Sequence, residues 1–125
     1  MNESVKLITV VEDDPDTIEI CRALFSDTAD WEVNFATDAE RALQMIRQKK
    51  PDLLLLDIIL NGKSGFDLLV EIRKDEGLKD LKVVVFSNLS RQEDAEKALE
   101  LGALDFLQKS TFLNGSARNK IREYL

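Results

Sequence analysis

The chain has 125 residues and a mass of 14.2 kDa, one domain's worth of sequence and enough to bury about two thirds of its unfolded surface with no disulfide or structural metal. Its formal net charge of -7 and pI near 4.6 argue against a surface that grips nucleic acid, because neutralising phosphates takes clustered Lys and Arg. It has no histidine, which excludes histidine triads, histidine metal sites and an internal phosphohistidine, and a single cysteine, which excludes an internal disulfide.

Met1 to Thr9 lacks the charged start, long apolar core and cleavage site of a secretory signal, and no apolar run reaches membrane-spanning length. A single cytoplasmic domain over residues 1–125 is therefore expected, with no membrane contact. Lys6 to Val11 is a β-branched apolar run ending in Glu12, Asp13 and Asp14, so a first strand delivers carboxylates at its C-terminal end. Asp14 and Pro15 make an N-cap and first-turn pair, and Ile18, Cys21, Leu24 and Phe25 give the following helix its apolar stripe. On that stripe Cys21 reads as a buried core thiol. Trp31, Val33 and Phe35 alternate with Glu32 and Asn34, the pattern of a half-exposed strand near a sheet edge. Thr37 with Glu40 forms a capping box for a helix whose inner face carries Leu43 and Ile46, and Lys49, Lys50 and Pro51 end it.

Leu53 to Leu56 then run without a polar face into Asp57, which predicts a central strand covered on both sides. Phe66, Leu69, Val70 and Ile72 mark a third helix stopping near Gly77. Leu81 to Phe86 forms a fourth strand leading into Ser87 and Asn88. Ser90 and Glu93 make a second capping box, for a helix through Ala95, Ala98 and Leu99 to the stop at Gly102. Asp105 to Gln108 is a short fifth strand followed at once by Lys109, and Ala117, Ile121 and Leu125 give the last helix its buried face. Five strands alternating with five helices imply an α/β fold, a doubly wound parallel sheet in three layers.

In a parallel sheet all C-terminal strand ends face one way, so Glu12, Asp13, Asp57, Ser87 and Lys109 converge on one crevice. Taken alone, Asp57 would be an ordinary turn aspartate and Lys109 a solvated loop lysine; together they make a pattern. Clustered carboxylates repel one another and require a cation, and hard oxygen ligands with water among them suit Mg²⁺. Mg²⁺, a carboxylate, a lysine and a hydroxyl are the parts for phosphoryl transfer onto Asp57, with Lys109 and Ser87 holding phosphoryl oxygens.

These residues resemble the receiver (CheY-like) domains of two-component response regulators: Val10-Val11-Glu12-Asp13-Asp14, Leu56-Asp57 with Gly65, Val85-Phe86-Ser87, and Asp105-Phe106-Leu107 with Lys109. The resemblance implies a flavodoxin-like sheet with strand order 2-1-3-4-5. It implies Glu12, Asp13, Asp57 and the Ile59 backbone carbonyl as Mg²⁺ ligands, Asp57 as phosphoacceptor and Lys109 as phosphate contact. Ser87 and Phe106 become the switch pair, and Ile59 and Leu89 flank the path of the hydrolytic water. The donor would be a histidine kinase or histidine phosphotransfer protein, and a downstream protein would bind the face of helix 4, strand 5 and helix 5. Four positions depart from the family pattern: Asn61 and Ser110 stand where Pro is common, Asn88 where a small residue is usual, and Phe106 where Tyr is frequent. Two other functions compete with this one. A Mg²⁺-dependent aspartyl-phosphate hydrolase would need a leaving-group acid two residues after its nucleophile, where Ile59 stands. An unphosphorylated interaction module of the same fold would be expected to lack one of the five groups.

Overall fold

The computed structural model describes residues 5–25, 29–60, 63–88, 91–111, 113 and 116–125. The main sheet is built from β1 (Lys6–Val11), β2 (Trp31–Ala36), β3 (Leu53–Asp57), β4 (Val83–Ser87) and β5 (Asp105–Gln108). All are parallel neighbours in the order β2-β1-β3-β4-β5. The helices are α1 (Pro15–Phe25), α2 (Ala39–Gln48), α3 (Gly65–Lys74), α4 (Gln92–Glu100) and α5 (Ala117–Tyr124), with a short helical turn at Lys109–Thr111. A two-residue antiparallel ladder, Ile59–Leu60 against Lys63–Ser64, follows β3.

β3 and β4 are apolar on both faces because both faces are covered: every residue of each is buried. Leu54, Leu56, Val83 and Val85 pack with α2, α3 and α4, while Leu53, Leu55, Val84 and Phe86 pack with Cys21, Phe25, Ala117 and Ile121 of α1 and α5. Alternation on β2 places it at the sheet edge, half-exposed, as its sequence pattern requires. Cys21 is fully buried, and burial pushes its thiol up to about 12. No helix among the described residues is long and apolar enough to cross a membrane.

Several boundaries depart from expectation for local reasons. α2 is capped by Asp38 and not Thr37: Asp38 is extended and its carboxylate accepts the Arg41 N–H at 2.7 Å, placing the first turn one residue later. α3 ends at Lys74, short of Gly77, because the Asp75 carboxylate takes the Gly77 N–H at 2.9 Å and pairs with Arg47 at 3.1 Å, organising a turn. That turn holds Leu81, whose N–H donates to the Leu78 carbonyl, so β4 begins at Val83 and extends through Ser87. α4 starts at Gln92 with Arg91 at its N-cap; Ser90 of the expected capping box lies outside the described residues. Its C-terminus does stop at Gly102, whose φ of 84° lets Gly102 and Ala103 donate back to Leu99 and Ala98.

Candidate functional site

The chain folds so that β1, β3, β4 and β5 end together, and what each delivers is fixed by register. Asp57 lies beside Phe86, and Ser87 beside Gln108, one residue before Lys109. α1 begins directly after β1, with Asp14 at its N-cap: the carboxylate accepts from the Asp16 N–H at 3.3 Å and the Thr17 hydroxyl at 2.7 Å. The capping role leaves Glu12 and Asp13 to face the crevice. At the start of α3, Gly65 donates to the Ile58 carbonyl at 2.6 Å, and a Cβ there would lie 2.2 Å from the Asp57 carbonyl oxygen. Only glycine fits this approach.

A cavity of about 340 Å³ opens at these strand ends, lined by Glu12, Asp13, Asp14, Asp57, Ile59, Ser87, Asn88 and Lys109. Glu12, Asp57, Ser87 and Lys109 are all buried, Glu12 completely. The Lys109 ammonium bridges two carboxylates, 2.5 Å from Glu12 Oε2 and 2.9 Å from Asp57 Oδ2. Glu12 Oε1 accepts the Asp13 and Asp14 N–H groups at 3.2 and 3.0 Å, and Asp57 Oδ1 accepts the Ile59 N–H at 3.1 Å. Glu12 Oε2 has the ammonium close by but no aligned hydrogen bond. Burial raises the Glu12 carboxyl above its usual range, with the Asp57 charge adding to it and Lys109 opposing. Burial also disfavours the Lys109 ammonium, yet Glu12 and Asp57 outweigh it and hold the lysine charged, its pKa raised.

Glu12, Asp13 and Asp57 each offer a carboxylate oxygen, all within 4.8 Å of one another. Three hard oxygens round a polar cavity, one of them a buried oxygen lacking an aligned donor, fit a small dication such as Mg²⁺. Among the residues singled out from sequence, Glu12, Asp13, Asp57, Ile59, Ser87 and Lys109 come together. Phe106 does not reach the cavity; it is half-buried against the α2–α3–α4 side of the sheet. Leu89 and Asn61 lie outside the described residues. Ser110 follows Lys109 through a trans peptide. Two lining residues were not among the expected site groups: Asp14 was read as a strand-end carboxylate serving as a helix cap, and Asn88 as a departure from the family pattern. A further neighbour, Phe86, was read only as strand core although its ring centroid is 5.1 Å from the Lys109 ammonium.

Fold and site together define a flavodoxin-like α/β domain with an acidic, lysine-bridged cavity at its strand ends. Residues 8–115 match the response regulator receiver domain family, and the chain belongs to that family, the receiver domains of two-component response regulators. It is 31% identical over 104 residues to the phosphate regulon transcriptional regulatory protein PhoB of Pseudomonas aeruginosa, covering 83% of this chain and 45% of PhoB. Thus the chain spans less than half of that relative. Among solved structures, the BeF3-activated N-terminal receiver domain of Klebsiella pneumoniae RstA superposes with a TM-score of 0.82 at 30% identity, covering 94% of this chain and 97% of that one. The phosphorylated cyanobacterial phytochrome response regulator RcpA gives a TM-score of 0.83 at 27% identity, covering 95% of this chain and 92% of that one. Domains of this family are signalling modules and not conventional enzymes.

Proposed function

We propose that this chain is the phosphoacceptor of a two-component system or phosphorelay, acting in the cytoplasm. The observation carrying this reading is one cavity that gathers a close trio of carboxylates, a buried lysine and a buried serine at the ends of parallel strands. In the proposed reaction an Asp57 carboxylate oxygen attacks the phosphorus of a phosphohistidine on a histidine kinase or phosphotransfer protein. The new P–O bond forms as the P–N bond breaks, and the electron pair leaves with the donor imidazole. Glu12, Asp13, Asp57 and the Ile59 carbonyl would hold Mg²⁺, which supplies charge neutralisation for the phosphoryl oxygens. Lys109 turns from its carboxylate partners to a phosphoryl oxygen, and Ser87 donates to another.

The protein then promotes only its own phosphorylation and slow dephosphorylation. Its output is a surface change: Ser87 moves toward the phosphoryl group and Phe106, half-buried two strands away from Asp57, turns into the space behind it. The face of α4, β5 and α5 would present that change to a downstream protein. BeF3 activation of RstA and phosphorylation of RcpA support the reading by similarity. Against a hydrolase stands Ile59, which lines the cavity and has no proton to give a leaving group.

The test is intact-mass measurement after adding a small-molecule phosphodonor with Mg²⁺. A stable gain of one phosphoryl group is expected in the wild type and none in Asp57→Ala. Uptake by Asp57→Ala would overturn the assignment, and turnover of donor without stable gain would favour the hydrolase.

A further inference from the structure

Lys109 begins at the end of β5 yet pairs with Glu12, just past β1, and Asp57 on β3, so its side chain must cross the end of β4. Register fixes what lies beneath that crossing. Phe86 is the β4 neighbour of both Asp57 and Leu107, the three sharing one side of the sheet, and Lys109 comes directly after the last residue of β5. Phe86 is fully buried, its ring held between α1 and α5 with Leu55, Ala117 and Ile121, and the ammonium sits 5.1 Å from its centroid. That is within the range where a ring face attracts a cation.

The other two contacts of the ammonium are carboxylate oxygens of residues that also belong to the acid trio. A dication at that trio would draw on the same carboxylates and repel the lysine, whereas the Phe86 ring offers it no ligand atom. We infer that Phe86 is a positioning residue for phosphoryl uptake: its π face keeps the Lys109 ammonium over the crevice when the carboxylates turn to the metal. This rests on the phosphoacceptor reading and adds to it a residue that acts through Lys109. The face is electron-rich and buried, so its effect is electrostatic and separable from the volume it fills.

The experiment replaces Phe86 by phenylalanines carrying one, two, three and five ring fluorines, which drain the π face while nearly preserving shape. Uptake from acetyl phosphate with Mg²⁺ should slow stepwise, by roughly two- to thirtyfold across the series, with Mg²⁺ affinity unchanged. Without metal, melting temperature should fall along the series in the wild-type background and stay level in Lys109→Met. Side-chain NMR signals of Lys109 should carry an upfield ring-current shift that disappears in Phe86→Leu, or in Phe86→Met should the leucine variant fail to fold. Rates and melting temperatures flat across the series would overturn the inference while the phosphoacceptor reading stands. An unsubstituted protein that takes up no phosphoryl group would overturn both.

Discussion

Gly65→Ala is the substitution for which local and tertiary physics give opposite signs. Gly65 opens α3 and has no positive φ, the only glycine with one being Gly102 among the described residues. On backbone entropy alone, alanine at a helix start should stabilise by about 0.4–1 kcal/mol. The structure predicts the reverse. The added Cβ would stand 2.2 Å from the Asp57 carbonyl oxygen and 2.8 Å from the Ile58 Cα, against an ordinary contact of at least 3.4 Å. Both neighbours are backbone atoms, so relief requires α3 or the end of β3 to move by on the order of 1 Å. Overpacking of that kind costs about 1–3 kcal/mol. For 125 residues this lowers the melting temperature by roughly 4–12 °C, at about 4 °C per kcal/mol. The same shift displaces the Asp57 carboxylate, and a misplacement near 1 Å slows a positioned reaction by on the order of a hundredfold. Urea unfolding and intact-mass phosphorylation kinetics measure the two effects. A Gly65→Ala protein as stable as wild type and phosphorylated at the same rate would refute the close-approach argument.

Mg²⁺ should raise the melting temperature because it relieves repulsion that exists only in the native state, and Asp13→Asn should blunt that rise; an undiminished response would move the ion elsewhere. Tyr124 on α5 donates to Asp105 on β5 at 2.6 Å, and burial followed by that hydrogen bond raises its phenol above the ordinary 10.0. A raised acid favours its protonated form in the fold, so this contribution is complete below pH 10.0 and is lost as pH climbs toward the folded value. Tyr124→Phe should therefore be less stable at neutral pH by about 1 kcal/mol and fall less steeply at alkaline pH, read by chemical denaturation across that window. Ile59, 47% exposed at the cavity rim, can neither orient nor deprotonate water, so Ile59→Asn should shorten the phosphoryl lifetime by roughly tenfold, and an unchanged decay rate would show that this rim does not gate the water.

The sheet was legible because its signals are long and redundant. Leu53 to Leu56 and Val83 to Val85 have no polar face, and runs this short, bounded by polar residues, suit strands buried on both sides better than helices. Convergence of Glu12, Asp13, Asp57, Ser87 and Lys109 followed from topology, since parallel strands bring their C-terminal ends together whatever the loops do. Helix starts were less legible, because Thr37 and Asp38 are both good caps and the sequence cannot say which one the backbone extends. Phe86 stayed hidden for a related reason. An aromatic in an apolar run looks like core, and only the folded geometry shows that a lysine passes over it. The completeness of Glu12 burial was likewise invisible, since a carboxylate at a strand end reads as solvated until α1 and β2 are packed around it.

That burial has an energetic consequence for the whole domain. A carboxylate at 0% exposure, with its pKa raised by burial and a neighbouring negative charge, is a group that stability alone would replace by an apolar residue of similar volume. Lys109 offsets part of the cost, but it does so by being buried itself. The stable part of the molecule and the strained part therefore lie on the same strands: the apolar middles of β3 and β4 hold the sheet together while their C-terminal ends carry groups that destabilise it. An arrangement of this kind responds to small changes in local charge. On the proposed function, a dication at the acid trio would reverse the sign of the repulsion, and a phosphoryl group on Asp57 would redirect the buried Lys109 ammonium. Both would act in the cavity that Ser87 lines, and its strand β4 is bonded to β3 on one side and β5 on the other. The proposed transmission to Phe106 on β5 would need no long pathway, because a single intervening strand separates the charge from the half-buried ring.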